Sequence, residues 1–204
     1  METFSTIAGR IAEQGWAISR EFLAKEHIDA LAREARTLWA QGSFRAAGIG
    51  RSADFRIRSD IRSDYILWLN ENDSTPAQAK YLAQMRRLML ALNRELFAGL
   101  REFECHYAVY PPGAFYRKHL DRFSAADERI ISSTLYLNTN WRVEDGGELR
   151  LYPPESDSGS FIDIRPEAGT LVLFRSDCVY HEVLPSVEER FSLTGWFRRR
   201  SLKG

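Results

Sequence analysis

The 204-residue sequence is short of several things, and each shortage excludes a class of protein. Two cysteines, Cys105 and Cys178, are too few for a disulfide framework, so a reducing, cytoplasmic setting is expected. Charge of one sign is also missing: Lys+Arg and Asp+Glu each number 28, for a formal net charge of zero. Nucleic-acid binders carry a basic excess, so no nucleic-acid partner is expected. No run of about 18 apolar residues free of charge occurs, which leaves no candidate membrane span. The opening Met1-Glu2-Thr3-Phe4 is acidic where a signal peptide is basic, and no apolar segment follows it. Internal repeats and low-complexity tracts are absent as well. What the chain does have is 44% hydrophobic and 12% aromatic residues, enough at this length to bury a core and to exclude disorder.

The hydrophobic period divides the chain. Phe4, Ile7 and Ile11 share one face of a helix over residues 2–14, and Gly15 ends it. A short strand is expected over 16–19. Ile28, Leu31, Ala35 and Leu38 mark a second helix over 24–41, stopped by Gly42. Residues 45–60 lose all periodicity and form a long loop, a feature that is often functional. After a strand at 65–69, Pro76 opens a third helix over 75–98, with Leu82, Met85, Leu88 and Leu92 facing inward. From 103 to 197 about seven strand candidates alternate with Gly, Pro and Asp clusters. Helices followed by strands argue for an α+β fold in one domain spanning 1–204, with residues 1–100 as helical support and 101–200 as the core.

Four histidines occur, and two of them anchor the chemistry. His119 precedes Asp121 by two positions, so in an extended segment both side chains project to one side and could share a metal ion. The bland alternative is a surface ion pair at a strand end. His181 begins a strand–turn–strand that returns through Arg190-Phe191-Ser192-Leu193-Thr194-Gly195-Trp196-Phe197. Under period-two alternation Arg190, Ser192, Thr194 and Trp196 share one face, and Phe191, Leu193 and Phe197 the other. Either face could line the interior. If Arg190 does, its buried guanidinium requires an anion, and a bound carboxylate held beside Thr194 would supply it. Two His and one Asp leave coordination positions open, which suits non-haem Fe(II) better than structural zinc.

His119-x-Asp121, the distal His181 and Arg190 on the final strand together resemble the Fe(II)- and 2-oxoglutarate-dependent oxygenases. The resemblance narrows to the hypoxia-sensing type of prolyl hydroxylases and their bacterial relatives through Ile61-Arg62-Ser63-Asp64-Tyr65, Tyr110-Pro111-Pro112-Gly113, Tyr136-Leu137-Asn138, and Gly146-Gly147-Glu148. It implies a double-stranded β-helix (jelly-roll) core with N-terminal helices packed on one sheet. It also implies Fe(II) on His119, Asp121 and His181, and 2-oxoglutarate contacted by Arg190, Tyr136, Tyr110 and Thr194. Dioxygen would be the second cosubstrate, with ascorbate as an accessory. The implied reaction hydroxylates a proline-containing protein or peptide, with elongation factor Tu as one candidate, and releases succinate and carbon dioxide. Arg129 falls at the place of an arginine at the substrate entrance, and the 45–60 loop would close over the peptide with Arg62 and Asp64 anchoring its base, so that all three are expected to serve substrate binding. The sequence departs from the family in that loop, and by one residue on either side of the His-x-Asp pair.

Two other readings remain open: an oxygenase of a small molecule such as free proline, and a non-catalytic jelly-roll metal-binding module. Trp68 and Trp141 read as core residues, His27 as exposed, Cys178 as a small apolar filler, and Arg198-Arg199-Arg200 as a solvated tail.

Overall fold

A computed structural model describes residues 3–49, 56–122, 128–154 and 159–199. Three α-helices occur among them: α1 (Phe4–Gln14), α2 (Lys25–Ala40) and α3 (Pro76–Leu96). Thr3 caps α1 by accepting the Thr6 N–H, and Gly15 closes it at φ 83, a left-handed turn that glycine adopts without strain. Thr75 caps α3 in the same way, with Pro76 in the first turn.

Eleven strands follow the chain: β1 (Trp16–Ser19), β2 (Arg45–Ala46), β3 (Tyr65–Trp68), β4 (Glu102–Tyr110), β5 (Tyr116–His119), β6 (Arg129–Tyr136), β7 (Leu149–Tyr152), β8 (Ile162–Ile164), β9 (Leu171–Arg175), β10 (Tyr180–Val183) and β11 (Arg190–Arg198). They form two antiparallel sheets. The major sheet runs β1-β9-β6-β11-β4-β3-β2 and the minor sheet β5-β10-β7-β8. Ile7, Ile11, Leu31, Met85 and Leu88 pack the helices against Tyr107, Phe191, Leu193 and Phe197 on one face of the major sheet. A second apolar cluster, with Tyr110, Tyr136 and Phe174 from the major sheet and Leu149, Leu151 and Val183 from the minor, fills the space between the sheets. This is the jelly roll with helices on one sheet.

The major sheet is therefore covered on both sides, which resolves the ambiguity of β11. Phe191, Leu193 and Phe197 face the helices, while Arg190, Thr194 and Trp196 face the inter-sheet space. Both faces are buried, so alternation of polarity alone could not choose between them.

Several expectations need correction. His27 is buried, with Nε2 2.8 Å from the Ala77 carbonyl, a bond that ties α2 to α3. Arg198 belongs to β11 and pairs with Glu104 at 2.8 Å and with Glu128, while Arg199 Nε donates to the Ala98 carbonyl at 2.7 Å. Arg200 lies outside the described residues. The 45–60 segment is not structureless: Arg45–Ala46 pairs with Tyr65–Ile66, and Ile49 and Arg56 exchange both backbone hydrogen bonds. Its described parts, 45–49 and 56–60, make a finger at the edge of the major sheet, and residues 50–55 lie outside the described set.

Candidate active site

A cavity of about 620 Å³ opens between the sheets. Its floor is one face of four neighbouring strands, β3, β4, β11 and β6. His119 and His181 project from the minor sheet opposite, and Gly48 and Ile49 of the finger close one side.

The two histidines stand directly across the β5–β10 ladder from each other. Asp121 follows β5 by two residues, and its Oδ1 and Oδ2 lie 3.7 Å from His119 Nε2 and His181 Nε2 respectively. The three ligand atoms are all within 4.8 Å of one another. Each imidazole turns Nδ1 to a main-chain carbonyl, His119 to Arg117 at 2.7 Å and His181 to Val179 at 3.4 Å. A proton on each Nδ1 leaves both Nε2 lone pairs facing Asp121. Ser132 Oγ donates to Asp121 Oδ2 at 2.6 Å and sits 2.9 Å from Ser176 Oγ, so the carboxylate is oriented from below. Burial works against ionising Asp121. The two histidines and Ser132 outweigh it and hold the carboxyl well below its ordinary range. Burial and the neighbouring His119 push His181 down to about 3, so it is a neutral lone-pair donor at neutral pH. One carboxylate and two imidazoles grouped on one side of a point are a donor set for a divalent transition metal with positions left open, and they fit Fe(II).

At the far end of the floor, Arg190 is 1% exposed. Its Nε donates to the Gly147 carbonyl at 2.8 Å, and its Nη2 has no hydrogen-bond partner among the described residues. The guanidinium carbon lies 5.1 Å from the Tyr110 ring centre and 4.9 Å from that of Tyr136, whose buried hydroxyl is also unpartnered. Burial raises the Tyr136 phenol to about 12, partly offset by Arg190, so it is a hydrogen-bond donor here. A buried cation without a counter-ion, beside an orphaned phenol, fits the carboxylate of an anionic ligand. Thr194, on the same face, lines the cavity with its Oγ1 3.3 Å from Ser192 Oγ. Gly147 makes the arrangement sterically possible: at φ +73, a Cβ there would stand 2.8 Å from Ser186 Cβ and 3.2 Å from Arg190 Cδ.

The three residues expected to serve substrate binding all line the cavity, and each is already engaged. Arg62 and Asp64 form a two-pronged ion pair, with Nε–Oδ1 at 2.7 Å and Nη2–Oδ2 at 2.6 Å. Arg62 also lies 4.3 Å from the Tyr116 ring centre and reaches the Gly48 carbonyl at 3.4 Å, so the pair braces the finger. Arg129 stacks on Trp196 at 3.5 Å and pairs with Glu104 at 3.0 Å. Trp68 is not a core residue. It is 38% exposed, lines the cavity and meets His106 edge-on. Sequence reasoning gave no role to His106 or Ser132. Their signal was available, because under period two His106 and Tyr110 share a face of β4, as Ser132 and Tyr136 share a face of β6.

Residues 105–198 match the 2OG-Fe(II) oxygenase superfamily, a span that contains the His-Asp-His triad, Tyr110, Tyr136 and Arg190. A crystal structure of a Pseudomonas putida prolyl-4-hydroxylase superposes with a TM-score of 0.88 at 44% identity, covering 98% of this chain and 100% of that one. The chain belongs to the 2OG-Fe(II) oxygenase superfamily. Within it, the oxygenase groups with the prolyl hydroxylases. A Trichoplax adhaerens prolyl hydroxylase, solved with a hypoxia-inducible factor peptide fragment, gives a TM-score of 0.86 at 27% identity, covering 96% of this chain and 88% of that one. The Caenorhabditis elegans hypoxia-inducible factor prolyl hydroxylase is 34% identical over 203 residues, which are 93% of this chain and 27% of that protein's length. As a 2-oxoglutarate-dependent dioxygenase, the protein requires Fe(II), 2-oxoglutarate and dioxygen, and the donor sets described above fit the metal and the dicarboxylate. Among the described residues, no helix is long and apolar enough to cross a membrane.

Proposed function

We propose that the oxygenase hydroxylates a prolyl residue of a protein or peptide substrate, with His119, Asp121 and His181 as the iron ligands. Arg190, with Tyr136 and Tyr110, takes the distal carboxylate of 2-oxoglutarate, and Thr194 lines the cavity further along the same strand. The observation that carries this reading is the division of one cavity between a His-Asp-His cluster and a buried guanidinium whose Nη2 has no partner among the described residues. Bound ferrous iron with 2-oxoglutarate and dioxygen supplies the oxidising power to insert one oxygen into a C–H bond, yielding succinate and carbon dioxide.

The chain's own residues bind and orient. Arg190 fixes the cosubstrate's far end, Ser132 fixes the plane of the Asp121 carboxylate, and the apolar walls of Ile66, Phe174 and Val183 exclude water. No protein general base is needed, and Cys105 and Cys178 have no part in the reaction. A peptide substrate is supported by the similarity to the Pseudomonas putida and Trichoplax adhaerens enzymes and by a cavity mouth bordered by the finger, Arg62, Asp64 and Arg129.

The test has two stages. An anaerobic Fe(II) titration should give an iron-to-keto-acid charge-transfer band with 2-oxoglutarate, lost in His119→Ala. Purified elongation factor Tu, a prolyl peptide library and free proline, each supplied with ascorbate, are then screened for a gain of one oxygen. Oxidation of a prolyl peptide or protein supports the proposal. Oxidation of free proline alone moves the substrate to a small molecule, and absence of the band refutes the oxygenase site.

A further inference from the structure

The cavity floor has two chemically distinct ends. Arg190 and Tyr110 are ladder partners at one end, and Thr194 and His106 are ladder partners four residues further along, about 13 Å away at strand rise. That second end is aromatic. Trp68 is the ladder partner of His106 on β3, with ring centres 4.8 Å apart at 71°, and Trp196 lies 5.5 Å away at 48°. His106 is 3% exposed, and its side chain makes no hydrogen bond with any described residue. Its two nitrogens differ. Nδ1 is fully enclosed without a partner, whereas Nε2 is not among the enclosed atoms and opens onto the cavity.

We propose that His106 is a specificity-determining residue that donates a hydrogen bond from Nε2–H to a main-chain carbonyl of the peptide, held between Trp68 and Trp196. The inference rests on the prolyl-peptide reading and names the group that reading leaves unassigned. A stranded N–H costs more than a bare acceptor, so the enclosed Nδ1 is the unprotonated nitrogen and the proton sits on Nε2. Burial, with Arg62 and Arg129 nearby, keeps the ring neutral by lowering it to about 3, so it carries one donor and no charge. A prolyl residue in a chain has no N–H and offers only carbonyl acceptors around its ring. A neutral donor between two flat aromatic walls complements that combination of apolar ring and amide oxygen. Free proline, with its ammonium and carboxylate, would instead call for charged partners.

The test uses holoenzyme and the prolyl peptide or protein that the wild type oxidises. His106→Phe keeps the ring and removes the donor. His106→Gln sets an amide N–H near the Nε2 position, and His106→Asn sets one near Nδ1. The peptide KM should rise about tenfold in His106→Phe and His106→Asn and return to within about threefold in His106→Gln. The 2-oxoglutarate KM and the anaerobic charge-transfer band should stay as in the wild type. An unchanged peptide KM in His106→Phe, recovery by Asn instead of Gln, or parallel loss of the band would overturn the proposal. Where the wild type oxidises no prolyl substrate, the prolyl reading has failed instead. The imidazole 15N spectrum then decides alone: a proton on Nε2 upholds the assignment of the donor, and one on Nδ1 removes it.

Discussion

Replacing Arg190 with Met should separate ligand binding from fold stability. The guanidinium is enclosed, bonds Gly147 through Nε at 2.8 Å and leaves Nη2 without a partner. A carboxylate accepting two charge-assisted bonds there gains about 1.5–3 kcal/mol from each. Losing about 4 kcal/mol weakens 2-oxoglutarate roughly a thousandfold. Stability without the ligand should respond differently. Removing the Gly147 bond costs about 1 kcal/mol, while removing an enclosed, incompletely paired cation relieves a desolvation penalty of several kcal/mol. The assay is chemical denaturation of Mn(II)-loaded protein with and without 2-oxoglutarate at a hundred times the wild-type Kd. Wild type should gain about 2.7 kcal/mol from the ligand and Arg190→Met less than about 0.1 kcal/mol. The ligand-free variant should be at least as stable as wild type. A variant that keeps the ligand increment, or that loses more than about 2 kcal/mol without ligand, would refute the assignment of Arg190 as a cation awaiting an anion.

Ser132→Ala removes the 2.6 Å bond that orients Asp121 and should weaken metal binding about 10- to 100-fold in a Mn(II) titration, with Ser132→Thr near wild type. Arg62→Met strands Asp64, whose side chain is 0% exposed, and should cost about 3–5 kcal/mol in urea denaturation. The double variant Arg62→Met/Asp64→Leu should recover most of that, because it buries no lone charge. Acidification should destabilise metal-free protein. His106 and His181 both titrate at about 3 in the fold against an ordinary 6.5, so the unfolded chain takes up those protons first. Their contribution is fully present above pH 6.5 and is lost toward pH 3, at about 1.4 kcal/mol per pH unit for each histidine. His106→Phe should halve the slope between pH 5.5 and 4, and a flat profile in wild type would contradict the burial of both rings.

The elements that the sequence revealed are those with a strong period and clear punctuation. Helices α1 and α3 follow the caps Thr3 and Thr75, and the strands β4, β6, β9 and β11 are rich in aromatic, aliphatic and β-branched residues. Strand β5 escaped because it is an edge strand with Arg117 and Lys118 at its centre, exposed on both. Strand β2 is two residues long and is visible only through its pairing with β3. The triad was legible because His119 and Asp121 need only local spacing, and His181 completes them across a ladder. For His106 and Ser132 the period shows only a face shared with Tyr110 and Tyr136; their relevance, like that of Trp68, comes from three non-adjacent segments meeting on one floor. His27 looked exposed for a similar reason: its partner, the Ala77 carbonyl, belongs to a helix 50 residues away.

Strand β11 serves two masters without conflict. Arg190, Thr194 and Trp196 furnish the cavity, and Phe191, Leu193 and Phe197 seat the helices. The ladder separates the two jobs residue by residue, so the chain can drift, or be engineered, toward new substrates at 194 and 196 while the helical scaffold keeps its footing. The exception is Gly195, where a Cβ would meet the Glu104 carbonyl oxygen at 2.5 Å and Cys105 Cβ at 2.6 Å. Libraries built on this strand should therefore hold 195 constant and vary its neighbours. The same rule gives a criterion for sorting variants: a change of substrate range without a change in melting temperature belongs to the cavity face.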